Sequence, residues 1–254
     1  MFKTIRIFIL LLILAAVALG TWRAKTRAAE WRHTLPVNIY LINGDGSGLT
    51  AEYLRSLTLA DFKPIELFMQ EEAARYGRES QASVDVRLGG ILASQPPAPP
   101  DNGSAPEVIL WSLKMRWWSY RNADTKGADP QVKLFLLYFD PALKNRLAHS
   151  TGLQKGLIGR VNVFASGDMA AQNNVVIAHE FLHTLGARDK YDLATNQPVY
   201  PQGYAMPDQV PLLPQRFAEI MAGRTPVSQS FAETPAGLSE AVIGKETAQE
   251  INWL

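Results

Sequence analysis

The chain has 254 residues, of which 47% are hydrophobic and 19% are charged, a composition typical of a globular protein with one domain or two small lobes. Its net charge of +1 excludes the strongly basic surface of a nucleic-acid-binding protein. Cysteine is absent, which excludes disulfides and cysteine-ligated zinc sites.

The N-terminus predicts a membrane segment over residues 1–22. A short basic stretch is followed by an apolar run from Ile7 to Leu19, which is shorter than the ~17–25 residues of a spanning helix. This pattern fits a signal anchor or a cleaved signal peptide, and the basic residues that follow favour the anchor. Residues 23–34 are then a basic juxtamembrane linker. Residues 35–254 are expected to be exported, either as a membrane-anchored periplasmic (extracytoplasmic) domain or, after cleavage, as a secreted one.

Strands and helices alternate in the first part of the exported region. The pattern predicts strands at residues 35–42, 83–88, 132–139 and 157–164, helices at residues 62–76 and 108–120, and a proline-rich loop at residues 94–106. This alternation predicts an α/β (α+β) fold with a sheet and helix lobe over residues 35–186. The aromatic helix at 108–120 either packs on the sheet or contacts a membrane or substrate.

The chain beyond this lobe, residues 187–254, is expected to form an irregular lower lobe. Five prolines lie close together in it: Pro198, Pro201, Pro207, Pro211 and Pro214. Proline disrupts regular elements, so long loops are expected, with a helical turn at 216–222 and a closing helix at 245–253.

The run His179-Glu180-Phe181-Leu182-His183 carries the residue types of metal-dependent hydrolysis. The apolar spacing around it predicts a helix from about Asn174 to Leu185, capped by Asn173 or Asn174 and ended by a glycine at position 186. The two histidines are four residues apart, so they share a helix face and can bind one metal ion. The glutamate is turned about 100° around the axis, where it can face a water without binding the metal.

The third ligand must come from another part of the chain. A third imidazole could come only from His33 or His149, and a lone histidine is usually a surface residue. Asp189 is the better candidate, because it follows the sharp turn at Gly186 and zinc accepts carboxylate oxygen at ~2.0–2.2 Å. The alternative is a downstream glutamate, as in gluzincin-like peptidases: Glu219, Glu240, Glu246 or Glu250.

The extended run His-Glu-x-x-His-x-x-Gly-x-x-Asp resembles the zinc motif of the metzincin clan of metallopeptidases. Its final aspartate is similar to that of the snapalysin and immune inhibitor A type. A looser stretch around Met221 resembles the Met-turn of the clan. The resemblance implies a metzincin-like zincin fold, with Zn²⁺ held by His179, His183 and Asp189. It also implies a strand at the cleft's upper rim, expected within residues 153–164, that pairs with extended substrate.

The resemblance implies a zinc metalloendopeptidase in which Glu180 is the general base that acts on a zinc-bound water. Several metzincins have a tyrosine two residues after the methionine, a position that Gly223 occupies in this chain. Tyr191, Tyr200 or Tyr204 would then supply any assistance to the transition state. The partners implied are a peptide or protein substrate and the membrane, with no nucleic acid. A non-catalytic, membrane-anchored zinc-binding protein is the rival hypothesis.

Overall fold

The computed structural model describes residues 30–78, 83–100, 103–123, 131–153 and 156–254, together with a few isolated positions nearer the N-terminus. The predicted membrane segment at residues 1–22 lies outside these continuous ranges. Within the described part of the chain, no helix combines the length and apolarity needed to cross a bilayer.

A five-stranded mixed sheet forms the centre of the fold, which is of the mixed α/β class. Its strands are β1 (Leu35–Asn43), β2 (Val84–Leu92), β3 (Val132–Phe139), β4 (Thr151–Leu153) and β5 (Ile158–Phe164). In the order β2-β1-β3-β5-β4, the first four are parallel and β4 is the antiparallel edge strand. The central strands are almost entirely apolar because both faces of the sheet are covered.

The helices divide between the two faces of this sheet. They are α1 (Gly48–Ser56), α2 (Lys63–Arg75), α3 (Ala105–Asn122), α4 (Ala170–Leu185) and α5 (Lys245–Glu250). Neighbouring residues of β1 point to opposite faces and so belong to different cores. Ile39 lies in the core that contains Phe181 of α4, whereas Tyr40 lies in the core that contains Met115 of α3. Helices α3 and α4 therefore cover opposite faces.

The predicted start of the histidine-bearing helix is wrong. Helix α4 begins before Asn173 and Asn174, and both residues are buried inside it. Asn173 donates to the carbonyl of Phe164 and accepts from its N–H, while Asn174 donates to the carbonyl of Asp61. These amides fasten α4 to β5 and to the turn before α2, so tertiary hydrogen bonds replace the predicted capping role.

The region after residue 187 is irregular, as the prolines predict. Two pairs of short strands organise it: β6 (Ala218–Glu219) with β9 (Ala241–Val242), and β7 (Thr225–Pro226) with β8 (Ala232–Glu233). The predicted helical turn at 216–222 is right only at its end: Ala218–Glu219 pair as β6, and a turn follows in which the carbonyl of Glu219 accepts the N–H groups of Ala222 and Gly223. The closing helix is shorter than predicted and ends at Glu250.

The segment before β1 joins the C-terminal end of the chain. The indole Nε1 of Trp31 donates to the carbonyl of Ile251 at 2.7 Å, and its ring centroid lies 5.6 Å from that of Trp253. Both tryptophans are buried. Part of the region predicted to be a linker therefore contributes to the core.

Candidate metal centre

Helix α4 and the turn that ends it bring the predicted ligands together. His179 and His183 lie one turn apart on α4, with ring centroids 4.6 Å apart and ring planes at 84°. The helix ends at Gly186, as predicted, with a φ of 119° that only glycine adopts without strain. This reversal directs Asp189 back to the two rings, where its Oδ1 lies 3.1 Å from Nε2 of His179 and 3.0 Å from Nε2 of His183.

The spacing of these three atoms suits a single small cation. Donors at ~2.0–2.1 Å from a tetrahedral ion are separated from one another by ~3.3 Å. The distances from Oδ1 of Asp189 to the two Nε2 atoms, 3.0 and 3.1 Å, are close to that value. His179, Glu180 and His183 also offer ligand atoms within 4.8 Å of one another. The His179, Glu180 and His183 group could therefore hold a metal ion.

Backbone carbonyls fix the orientation of both imidazoles. Nδ1 of His179 lies 2.9 Å from the carbonyl oxygen of Ile220, and Nδ1 of His183 lies 2.8 Å from that of Ala187. A carbonyl only accepts, so each Nδ1 carries the hydrogen and donates it. Each Nε2 is therefore the nitrogen that faces Asp189. It donates to the carboxylate while it carries a proton, and it can bind a metal once that proton is lost.

The surroundings of the two Nε2 atoms and of the Asp189 carboxylate favour a positive charge between them. Burial lowers the pKa of His179, but the hydrogen bond to Asp189 and the charge of Glu180 outweigh burial and raise it to about 9. Burial raises the pKa of Asp189, but the hydrogen bonds from His179 and His183 hold it well below its ordinary value of 3.8. A bound cation would take the place of the protons that the two Nε2 atoms share with Asp189.

Glu180 has the environment of a chemically active carboxylate. The residue is 5% exposed, and its Oε2 has no hydrogen-bond partner among the described residues. Burial raises its pKa, against the opposing charges of His179 and His183. An unpartnered buried oxygen is unfavourable in a purely structural residue, and such groups are concentrated at functional sites.

A cavity of about 430 Å³ opens beside Glu180. Its walls come from the segment before β4, from one face of α4 and from the loops beyond it, and they include Leu147, His149, Val176, Tyr191 and Gly223. The predicted third-ligand alternative His149 thus lies at the cavity, whereas His33 is an exposed residue before β1.

Strand β4 lies directly against the histidine-bearing helix. A Cβ added to Gly152 would come within 2.4 Å of the Cβ of His183 and 2.9 Å of the carbonyl of Glu180, so only glycine permits this approach. The sequence predicts the rim strand within residues 153–164, and the sheet edge overlaps that range in part. Strand β4, Thr151–Leu153, forms the edge beside residues 158–160 of β5, whereas residues 161–164 of β5 pair with β3 alone among the described strands.

The turn at Met221 hydrogen-bonds to His179 and to the residue after Asp189. Met221 is fully buried, and its carbonyl accepts the N–H of Lys190, the neighbour of Asp189. The preceding carbonyl, that of Ile220, orients His179. The carboxylate of Glu219 holds the turn by accepting the N–H groups of Met221 and Ala222. The sequence offers Glu219 as an alternative ligand and as the start of the stretch that resembles a Met-turn. In the structure it is buried and its carboxylate is fully partnered, a role that a charge within an apolar run could have indicated.

The structure distinguishes among the candidate tyrosines. The ring centroid of Tyr191 lies 6.5 Å from that of His179, and Tyr191 lines the cavity with Glu180. Burial, with the charges of Asp189 and Glu180, raises the pKa of Tyr191 to about 12, so its hydroxyl stays protonated and can donate. Tyr200 and Tyr204 instead pack edge to face against each other, with centroids 5.3 Å apart, and neither lines that cavity.

Comparison with known proteins identifies no family. No protein-family model matches the chain, and no curated protein matches its sequence. One solved structure that does match, described as a chaperone–substrate complex, has a TM-score of 0.38 and 14% sequence identity over 86% of this chain. The chain spans 33% of the length of that protein.

Proposed function

We propose that the protein is a zinc-dependent metallopeptidase. The observation that carries the proposal is the convergence of two imidazole Nε2 atoms and the Asp189 carboxylate on one point, with both Nδ1 atoms bound to backbone carbonyls. The resemblance of the His179–Asp192 run to metzincin motifs supports the same function.

The donor set favours zinc over the other common metal ions. Two imidazole nitrogens and one carboxylate oxygen are typical of catalytic zinc sites, which leave a further position open for water or substrate. Calcium and magnesium prefer sites built from oxygen alone. Zinc, when bound, supplies a Lewis acid that polarises a carbonyl and lowers the pKa of a coordinated water.

Glu180 is the residue that moves the proton. Its partnerless Oε2 is buried beside the cavity, so it can accept a proton from water without first breaking a hydrogen bond. Addition of water to the peptide carbonyl forms a C–O bond, and cleavage of the C–N bond transfers the proton from Glu180 to the leaving amine. Tyr191 is positioned at the same cavity to donate a hydrogen bond to the substrate.

Strand β4 supplies a surface for an extended peptide. It is the edge of the sheet, and its outer side is not paired with any described strand. An extended chain can add to such an edge through backbone hydrogen bonds, which favours an endopeptidase over an enzyme for small molecules. Gly152 keeps this strand within contact of the helix that carries Glu180.

The downstream glutamates are occupied elsewhere. Glu219 accepts four hydrogen bonds beneath the Met221 turn, and Glu250 binds Lys190 and Arg188. Glu240 accepts the N–H of Ala236, and Glu246 lies 3.8 Å from the guanidinium of Arg188. This favours Asp189 over a gluzincin-like ligand. The partnerless oxygen of Glu180 likewise favours an enzyme over a zinc-binding protein without activity, because a structural metal site needs no such group.

The test compares zinc content and peptide cleavage in the purified full chain and three variants. Glu180→Gln keeps the shape of the side chain and is expected to retain zinc while losing roughly 10²–10⁴-fold in rate on a mixed peptide library. His183→Ala is expected to lose both zinc and activity. Glu52→Gln, an exposed glutamate on α1, is the control that keeps both. Cleavage by Glu180→Gln at the wild-type rate would show that the proposal is wrong.

A further inference from the structure

Helix α3 has two apolar faces, and the described parts of the chain cover only one of them. Its inner face packs on the sheet through residues such as Trp111 and Met115. Its outer face carries five large apolar side chains that are 50–67% exposed: Ile109, Leu110, Leu113, Trp117 and Tyr120. At 100° per residue, these side chains form one continuous stripe along the helix.

Such a face is unusual for a helix that covers a sheet. The outer side of a surface helix is normally polar, and a large exposed apolar patch marks a site of interaction. The residues at the inner face cannot rotate outward to relieve this exposure, because Trp111 donates to the carbonyl of Pro97 and Trp118 packs edge to face on Phe135. The outer stripe is therefore a fixed feature of the fold.

Apart from one glutamate in its first turn, the charged side chains of α3 are all positive. Lys114 and Arg121 are exposed beside it, and the Arg121 guanidinium lies 5.9 Å from the ring centroid of Trp117. The only acidic residue of α3 is Glu107, in its first turn, where it bonds the N–H and hydroxyl of Ser104 as a helix cap. An apolar face with aromatic residues and flanking cations is the pattern of a helix that lies in the plane of a membrane.

We propose that the outer face of α3 is a membrane-docking surface for bilayers with anionic headgroups. The aromatic and aliphatic side chains enter the boundary between headgroups and acyl chains, while Lys114 and Arg121 bind lipid phosphates and carboxylates. A second copy of the chain fits this face less well, since a symmetric pair would bring the same cations together without carboxylates to balance them.

The position of α3 in the fold is compatible with function at a membrane. It covers the face of the sheet opposite α4, so docking leaves the metal centre and its cavity away from the bilayer. The sequence also predicts a membrane segment at residues 1–22. The two features differ in kind, because the predicted segment would attach the chain, whereas the stripe would set its orientation on the surface.

A single fluorescent label can test this orientation, because the chain contains no cysteine. Leu113→Cys places an environment-sensitive fluorophore on the stripe, at a residue that is 50% exposed. Leu67→Cys on α2 is the matched control, since it is a similarly exposed leucine, 47%, on the opposite face of the sheet. Each labelled full chain is mixed with phosphatidylcholine vesicles, with and without phosphatidylserine, that contain lipids spin-labelled near the headgroup.

We expect phosphatidylserine vesicles to shift the emission of the label at 113 to the blue and to quench it, with no change at 67. Lys114→Gln and Arg121→Gln should each raise the lipid concentration for half-maximal change by about fivefold on anionic vesicles, with no change on phosphatidylcholine alone. Tyr120→Cys provides a second position on the same face if the first variant does not fold.

Three outcomes would overturn the proposal. In the first, the vesicles attach the chain while the label at 113 stays unquenched. In the second, quenching is equal at 113 and 67. In the third, the 113 signal changes with protein concentration in the absence of lipid, which would assign the stripe to contact between copies of the chain.

Discussion

The carboxylate of Glu219 is expected to hold the metal centre in shape without touching the metal. Its Oε2 accepts the N–H groups of Met221 and Ala222 at 2.7 and 3.0 Å. Its Oε1 accepts the N–H of Gly244 at 3.1 Å and the hydroxyl of Thr247 at 2.6 Å. The residue is 0% exposed, so water cannot replace any of these bonds.

The substitution Glu219→Gln tests this role with little change in volume. The amide oxygen can serve Met221 and Ala222, and the amide NH₂ can donate to the hydroxyl of Thr247, which can rotate to accept. The N–H of Gly244, which is partly buried, cannot accept, so it loses its acceptor. An unsatisfied buried donor costs about 1–3 kcal/mol, which is the expected loss in free energy of unfolding.

The substitution Glu219→Ala should be more harmful because Met221, Gly244 and Thr247 all lose their acceptor. The N–H of Ala222 keeps the backbone carbonyl of residue 219, at 2.9 Å. We expect a loss of roughly 3–5 kcal/mol in free energy of unfolding, measured by urea denaturation at unchanged m-value. Glu233→Gln, at an exposed glutamate of β8, is the control and should stay within about 0.5 kcal/mol of wild type.

The same variant is expected to weaken metal binding. The turn that Glu219 holds contributes the carbonyl of Ile220 to His179 and that of Met221 to the N–H of Lys190. Loss of such outer contacts typically lowers metal affinity by about 10–100-fold, which competition with a chelator would measure. A Glu219→Gln protein with wild-type stability and wild-type metal affinity would refute the reasoning.

Three other perturbations address the strand beside the site, the metal and the pH dependence. Gly152→Ala should destabilise the fold by about 1–3 kcal/mol in urea, since its Cβ would lie 2.4 Å from that of His183, whereas Gly48→Ala has no atom within 4 Å and should be nearly neutral. Zinc at 100 times its Kd should stabilise the wild type by about 2.7 kcal/mol in thermal unfolding, an effect that a chelator reverses and His183→Ala lacks; equal melting with and without zinc would contradict the site. Burial raises the pKa of Glu250, but its hydrogen bond with Lys190 outweighs burial and lowers it below 4.5. The contribution of ionised Glu250 to the free energy of unfolding is therefore fully present above about pH 4.5 and is lost as the pH falls through the folded pKa. Urea curves of wild type and Glu250→Gln should differ near neutral pH and converge in acid.

Local patterns in the sequence predicted most elements and the core of the site. These features depend on residues within a few positions of one another, so they can be predicted without the fold. They are the apolar strands, the shared face of His179 and His183, and the end of the helix at Gly186. Helix α1 was missed even though Ser47 caps it in the ordinary way, accepting the N–H of Thr50. It spans only nine residues, of which Thr50 and Leu54 are buried, and its position depends on the sheet that it covers.

The positions of the asparagines and of the edge strand required the tertiary structure. Asn173 reads as a helix cap in the sequence because amides favour helix starts, but in the fold its amide bonds the backbone of β5. The sequence also gives no sign that the short strand β4 pairs with the first three residues of β5 and forms the edge there. Pairing between strands is set by contacts across the chain, which a single-strand pattern does not contain.

The sequence by itself determined which atoms could bind a metal: two imidazoles one turn apart, a glutamate beside them, and Asp189 after a glycine turn. Only the tertiary structure decided how those atoms are aimed. His179 is oriented by the carbonyl of Ile220, 41 residues away in the chain, and that carbonyl is held by the carboxylate of Glu219. The choice of ligands is local because helix geometry repeats over a few residues, whereas their orientation comes from hydrogen bonds that exist only once distant segments have packed together.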